Sequence, residues 1–328
     1  MTGIALVGAG RMGAMRLRAL PRARRVQLIA ICDPSPAAEA HGEAAGVPVD
    51  TDFEQTLQRD DVHAVVIAAP TLRHEALVAA ALAAGKHVLC ERPLTFDPQT
   101  DMRLAAEADR RGLALHVGFW RRHAWPYREA RRLLAEDAIG APRMLRLAQW
   151  GSEPLSPGFG DPAGSGGIEV DCGIHECDLA AWLCGSPVVE AFARGAPTRN
   201  EIAAVGDVDS LVGVLMLAGG QPVSLDLARS AAHADLVRSE IVGERGSMIC
   251  EAHGAGALLV RQEDGLREVL PTTDDVMLDA LARQIDALAA AAAGGPVPDA
   301  ARPSDAAAAL RATLALQRSR RSGTSVVL

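Results

Sequence analysis

The chain has 328 residues, with 33 Lys and Arg against 41 Asp and Glu, a formal net charge of −8. That acidic balance disfavours nucleic-acid binding, which calls for a basic face, and 49% apolar with 23% charged residues excludes wholesale disorder. At roughly 150 residues per domain, the length points to two domains.

No run of about 18 uncharged apolar residues occurs, so no membrane partner is expected. Met1–Gly8 lacks a basic region and a small-residue cleavage site, so no signal peptide is expected. The six cysteines, without a Cys-x-x-Cys pair, read as reduced thiols of a cytoplasmic protein. Lys86 is the only lysine.

The first third alternates strand and helix. Apolar runs at Ile4–Val7, Val26–Cys32, Ala64–Ala69, His87–Cys90 and Leu113–Phe119 read as strands. Met12–Leu20, Pro36–Ala45, Asp52–Gln58, Leu72–Ala84 and Asp97–Arg111 read as the helices between them. Near-continuous apolar strands separated by helices predict a parallel sheet covered on both faces. After about residue 120 the texture changes. Helices are expected at Arg122–Glu136, Ile168–Leu183, Val276–Ala292 and Asp305–Arg318, and a loop at Gly151–Gly167. Strand-like runs at Arg143–Trp150, Val188–Ala193, Val208–Leu217, Val223–Leu227, Leu236–Val242, Ser247–Glu251 and Ala257–Arg261 have short connections. They predict a second, largely antiparallel sheet. The fold class is therefore α/β: a doubly wound Rossmann domain over residues 1–120, then an α+β domain over residues 121–328 with a large, mostly antiparallel open sheet. The last helix is expected to pack back on the first domain.

Gly8-Ala9-Gly10-Arg11-Met12-Gly13 fits G-x-G-x-x-G, follows an apolar strand and opens a helix. Glycines there let the backbone approach a pyrophosphate whose charge the helix N-terminus holds. Asp33 ends the second strand, where a carboxylate accepts ribose hydroxyls and repels a 2′-phosphate. The cofactor expected is NAD rather than NADP.

Asp171 and His175 are four apart on a predicted helix and share a face, with Asp178 three further on. An imidazole of ordinary pKa ~6.5 beside a carboxylate suits proton removal from an alcohol. The same spacing suits a capping acid followed by a core histidine. No ligand set with convincing spacing points to a metal.

Longer stretches identify the chain as resembling the Gfo/Idh/MocA oxidoreductases, and among them most of all the inositol dehydrogenases. They are Gly8–Gly13, Ala69-Pro70-Thr71-x-x-His74, Ala84–Leu94, Val117–Arg122 and Gly166-Gly167-x-x-x-Asp171-x-x-x-His175-x-x-Asp178. Val208-Asp209-Ser210 and Glu240–Ser247 extend the likeness. The resemblance implies a hydride transfer between NAD and a ring CH–OH of a sugar or cyclic polyol. It implies cofactor contacts from Gly8, Gly10, Arg11, Met12, Gly13, Asp33, Ala69, Pro70, Thr71, His74, Glu91 and Arg92. Catalysis would fall to His175, Asp171 and Arg92, and substrate contacts to Arg121, Arg122, Asp171, His175 and His233.

The chain departs from the family at Arg92, where the family's Glu-Lys-Pro carries lysine. Arginine stays protonated and cannot relay a proton, but it can hydrogen-bond a developing alkoxide. Lys86 lies at the wrong end of its strand to substitute, roughly 15 Å away at ~3.3 Å per residue. Trp150 ends a strand near the predicted cleft, as a candidate substrate contact, and suits either sugar stacking or core filling. The missing lysine keeps open a non-catalytic NAD- and sugar-binding regulator, and the resemblance to the family keeps open an NAD-assisted glycoside-cleaving enzyme. Family members are said to pair through the large sheet, so a homodimer or homotetramer is expected.

Overall fold

Six short runs pair side by side and in parallel: β1 (Thr2–Val7), β2 (Val26–Cys32), β3 (Val49–Asp50), β4 (Ala64–Ile67), β5 (His87–Cys90) and β6 (Leu115–Val117), in the order β3-β2-β1-β4-β5-β6. Every residue of β4 is buried, as befits a strand covered on both faces. Crossovers run through α1 (Arg11–Ala19), α2 (Glu39–Ala45), α3 (Phe53–Leu57), α4 (His74–Ala83) and α5 (Pro98–Arg111). Local chemistry sets their ends. Asp97 accepts from the amides of Gln99 and Thr100, Pro98 opens α5, and Gly112 closes it at φ 67°.

The second sheet has nine strands. It contains β7 (Pro142–Trp150), β8 (Val188–Ala196), β9 (Ser210–Leu217), β10 (Pro222–Ala228), β11 (Leu236–Gly243), β12 (Ser247–Glu251), β13 (Ala257–Gln262), β14 (Gly265–Val269) and β15 (Val326–Val327), in the order β14-β13-β12-β11-β7-β10-β9-β8-β15. Every pairing is antiparallel except β7 with β10. The helices are α6 (Trp125–Ala135), α7 (Pro162–Ser165), α8 (Gly167–Asp171), α9 (Gly173–Cys184), α10 (Asn200–Ala204), α11 (Val276–Ala292) and α12 (Pro303–Ser322). Both expected architectures are present.

One sheet face is buried. Leu145 and Leu147 on β7, Leu225 and Leu227 on β10, and Leu211 and Leu215 on β9 point inward. Helix α9 lies on that face, its Gly173 so close that a Cβ would stand 3.2 Å from the Leu227 side chain. Helix α6 shares it, with the Tyr127 hydroxyl 3.0 Å from that of Ser239. The opposite face exposes Met144, Trp150, Val212 and Val214.

The computed structural model describes residues 1–152, 161–229 and 235–328. They divide into two compact units, Met1–His123 with Leu278–Ala307, and Ala124–Met277 with Ala308–Leu328. The sequence places residues 121–328 in the second domain, with the last helix expected to pack back on the first; in the two compact units, most of that last helix, from Ala308 on, counts with the second. Residues 278–307 join the first because α11 delivers Ile285 and Leu288 to the cluster of Ile4, Leu6, Ala64, Val66 and Leu89. Asp286 accepts from the amides of Arg24 and Arg25, and Val117 donates to the Ala301 carbonyl. No helix among the described residues is long and apolar enough to cross a membrane.

Candidate active site

In the first unit the glycine motif is a tight turn between β1 and α1. Gly8 has φ 91°, and a Cβ there would meet Ala68 and Ala69 backbone at 2.8 Å. A Cβ on Gly13 would lie 2.1 Å from the Gly8 carbonyl oxygen. A Cβ on Gly10 would meet nothing within 4 Å, and no side chain caps α1. The loop thus leaves open room at the helix N-terminus, which fits a dinucleotide diphosphate. Asp33 accepts from the Ala9 amide at 2.7 Å and the Ser35 amide at 2.8 Å, which fixes its carboxylate at the mouth of this loop. Arg11 is exposed and Met12 half-buried.

Past the ends of β4 and β5, the other motif residues hold each other. His74 is 1% exposed. One ring nitrogen lies 2.9 Å from the Pro93 carbonyl and the other 2.8 Å from that of Ala69. The imidazole therefore ties the Ala69-Pro70-Thr71 loop to the segment after β5. Glu91 is buried with its Oε1 on Arg16, Arg92 is half-buried, and the peptide between Arg92 and Pro93 is cis. Lys86 donates to the carbonyls of Arg59 and Val62, which anchors it at the opposite end of β5 from Arg92. Arg121 and Arg122 are buried after β6. Arg121 stacks 5.9 Å above the Trp120 ring, and Arg122 donates to Asp305 at 3.1 Å.

In the second unit, Gly166 and Gly167 both take positive φ, 78° and 77°, and turn the chain into α8. The single helix expected over Ile168–Leu183 is two, α8 and α9, broken at Cys172. Two bonds carry the chain through the break: the Cys172 amide reaches the Ile168 carbonyl at 2.9 Å, and the His175 amide reaches that of Cys172 at 3.3 Å. Asp171, His175 and Asp178 therefore stand on successive turns, 8%, 4% and 4% exposed.

Buried charge braces this turn. Arg229, at the end of β10, donates through Nη1 to Asp207 Oδ2 at 2.7 Å and through Nη2 to Asp171 Oδ2 at 3.3 Å. Asp207 Oδ1 also accepts from the Ile168 amide at 3.4 Å. Burial works against the guanidinium, but the carboxylates of Asp171 and Asp207 outweigh it and hold its pKa above arginine's ordinary value. Glu169 pairs with Arg320, and the Gln317 amide donates to the Gly166 carbonyl, so α12 holds α8 from its other end. Sequence reasoning assigned no role to Asp207, Arg229 or Arg16. A lone arginine after a strand carries no signal until its partners are known.

Two expected substrate residues fare differently. Trp150 pairs in register with Ala228 and Leu236 and faces away from α9, because β7 alternates and Leu145 and Leu147 point inward. Gln149, not Trp150, has the inward parity. His233 lies outside the described residues. Among the described residues, no group of three His, Cys, Asp or Glu side chains could hold a metal ion.

Residues 2–119 match an oxidoreductase family described as having an NAD-binding Rossmann fold, and residues 127–249 match the GFO/IDH/MocA C-terminal domain. The chain is 33% identical over 302 residues to inositol 2-dehydrogenase 2 of Saccharopolyspora erythraea, covering 90% of this chain and 86% of that one. The structure of myo-inositol 2-dehydrogenase from Lactobacillus plantarum superposes with a TM-score of 0.87 at 26% identity, over 100% of this chain and 99% of that one. That of scyllo-inositol dehydrogenase from Lactobacillus casei, with bound NAD(H) and scyllo-inositol, gives 0.85 at 25% identity, over 100% and 99%.

Proposed function

The chain belongs to the GFO/IDH/MocA family of NAD-binding oxidoreductases, and from that premise we propose that it oxidises a ring CH–OH of an inositol-like cyclic polyol with NAD rather than NADP. The observation that carries the reading is the buried carboxylate and imidazole one turn apart at Cys172, with the carboxylate held by Arg229.

Bound NAD supplies the hydride acceptor. The open cradle at Gly10 and the α1 N-terminus take its diphosphate, and Asp33 takes the adenosine ribose. His175 receives the proton of the reacting hydroxyl, so the carbinol loses one hydride and one proton and becomes a carbonyl. Asp171 favours the imidazolium that forms, and Asp178 on the next turn orients the ring or binds a neighbouring hydroxyl. Arg92 donates hydrogen bonds to the oxygen as negative charge develops on it. Its unbroken charge leaves the proton work to His175. Arg121 and Arg122, both buried after β6, are the candidates for a substrate hydroxyl beside the reacting one. Trp150 is left out of the polyol site.

The test is absorbance at 340 nm with NAD or NADP and a panel of inositols and sugars. His175→Ala is expected to lower kcat by roughly 10²–10⁴-fold, the range for a lost general base. Undiminished turnover would remove His175 from that role. The outward face of the large sheet, which carries Met144, Trp150, Val212 and Val214 among the polar Arg146, Ser224 and Asp226, is the surface through which a homodimer or homotetramer would form. A 34 kDa particle by light scattering would contradict that assembly.

A further inference from the structure

Helix α1 buries a full charge. Arg16 is 0% exposed, although burying an ion is costly unless it is paired. Its Nε and Nη2 both donate to Glu91 Oε1, at 2.9 and 2.7 Å, and its Nη1 reaches the Leu281 carbonyl at 3.4 Å. The other Glu91 oxygen sits where Gly118 lacks a side chain: a Cβ there would lie 2.7 Å from Oε2. The ion pair thus has a place shaped for it among α1, the end of β5 and the end of β6.

Its two ends serve different parts of the nucleotide platform. Arg16 is three residues beyond Gly13, on the helix whose N-terminus the proposed function assigns to the diphosphate. Glu91 is the first residue after β5 and directly precedes Arg92. Strand order reverses between β1 and β4. A dinucleotide lies across such a switch point, with its adenosine half on the β1–β2 side and its second half toward β4 and β5. Two apolar side chains could fill the same space without the desolvation cost of two ions. The ion pair instead adds two directional bonds that fix Glu91 against α1.

We propose that the Arg16–Glu91 pair is a strut that holds Glu91–Arg92, and with it the nicotinamide-ribose end of NAD, in register with the diphosphate end. Arg16 is a positioning residue acting through Glu91. The inference rests on the reading that Arg92 addresses the reacting end of NAD. It does not depend on which polyol is oxidised, so its test measures binding rather than turnover.

The full-length protein is titrated calorimetrically with NAD and with ADP, which carries the adenosine and both phosphates but neither the second ribose nor the nicotinamide. Single neutral replacements strand a buried charge. The point change Gly118→Ala, which keeps both charges but crowds Oε2, therefore carries the test. In that folded variant, Kd for NAD is expected to rise roughly tenfold while Kd for ADP stays within about twofold. Arg16→Lys, which keeps the charge but not the two-bond fork, is expected to fall between it and the wild type. NAD and ADP affinities that change together, or an NAD affinity that does not change, would overturn the strut. A wild type that binds NAD yet oxidises no polyol would instead sink the function proposed above and leave this result standing.

Discussion

Arg229→Met probes the brace beneath Asp171. The Arg229 side chain is 3% exposed, that of Asp207 1% and that of Asp171 10%, so solvent screens none of the three strongly. Methionine fills much of the same stem but leaves two carboxylates facing one another without the cation between them. Breaking a buried pair by removing one partner costs about 3–5 kcal/mol. At ~2–4 °C per kcal/mol for a domain of this size, the second unit should melt on the order of 10 °C lower. Scanning calorimetry at pH 7.5 reads this directly. Replacing Asp207 by leucine in the same molecule removes one stranded charge, so Asp207→Leu with Arg229→Met should recover part of the loss despite forfeiting the bond to the Ile168 amide. An Arg229→Met protein melting within about 2 °C of the wild type would refute the reasoning. So would a double variant less stable than the single one.

Burial, with His87 and Arg302 nearby, pushes the His116 imidazole down to about 4 from an ordinary 6.5. Below pH 6.5 the unfolded chain takes up a proton that the folded one refuses, so stability present above pH 6.5 is lost as pH falls toward 4. At ~1.4 kcal/mol per pH unit, the wild type should lose about 2 kcal/mol more than His116→Phe between pH 6.5 and 5, measured by urea unfolding. Asp33→Asn keeps the bulk but drops the charge, and calorimetry should show NAD binding weakened roughly tenfold and the preference over NADP narrowed. An unchanged ratio of the two affinities would remove Asp33 from selectivity. Arg92→Lys should hold or raise kcat in the 340 nm assay, whereas Arg92→Ala should lower it by roughly 10²-fold, as expected of a lost oxyanion donor. A harmless alanine would take Arg92 away from the reacting oxygen.

The Rossmann half was legible because its strands are nearly continuous apolar runs and its turn chemistry is local: Gly8 to Gly13, Asp97 with Pro98, Gly112. The two-residue strands β3 and β15 were not, since pairing with a neighbour, not their own pattern, makes them strands. The parity of β7 was also legible. With Leu145 and Leu147 inward, a period of two sends Trp150 out, although it ends its strand near the predicted cleft. The break at Cys172 left no mark, because Ile168–Leu183 carries no proline and its one glycine, Gly173, packs against the sheet. Arg16 with Glu91, and Arg229 with Asp171 and Asp207, join residues 22 to 75 positions apart. Such pairs exist only once the chain has folded.

The split composition of the first unit has a consequence for how the protein is made. Residues 1–123 leave the ribosome with all six strands of the parallel sheet but without Ile285 and Leu288, which complete its core, or the Leu281 carbonyl that receives Arg16. At about 5–20 residues per second, the missing segment follows only after a delay on the order of ten seconds or more. Through that interval the nascent nucleotide-binding half must wait with one flank bare, and a fragment truncated after His123 would be permanently in that condition.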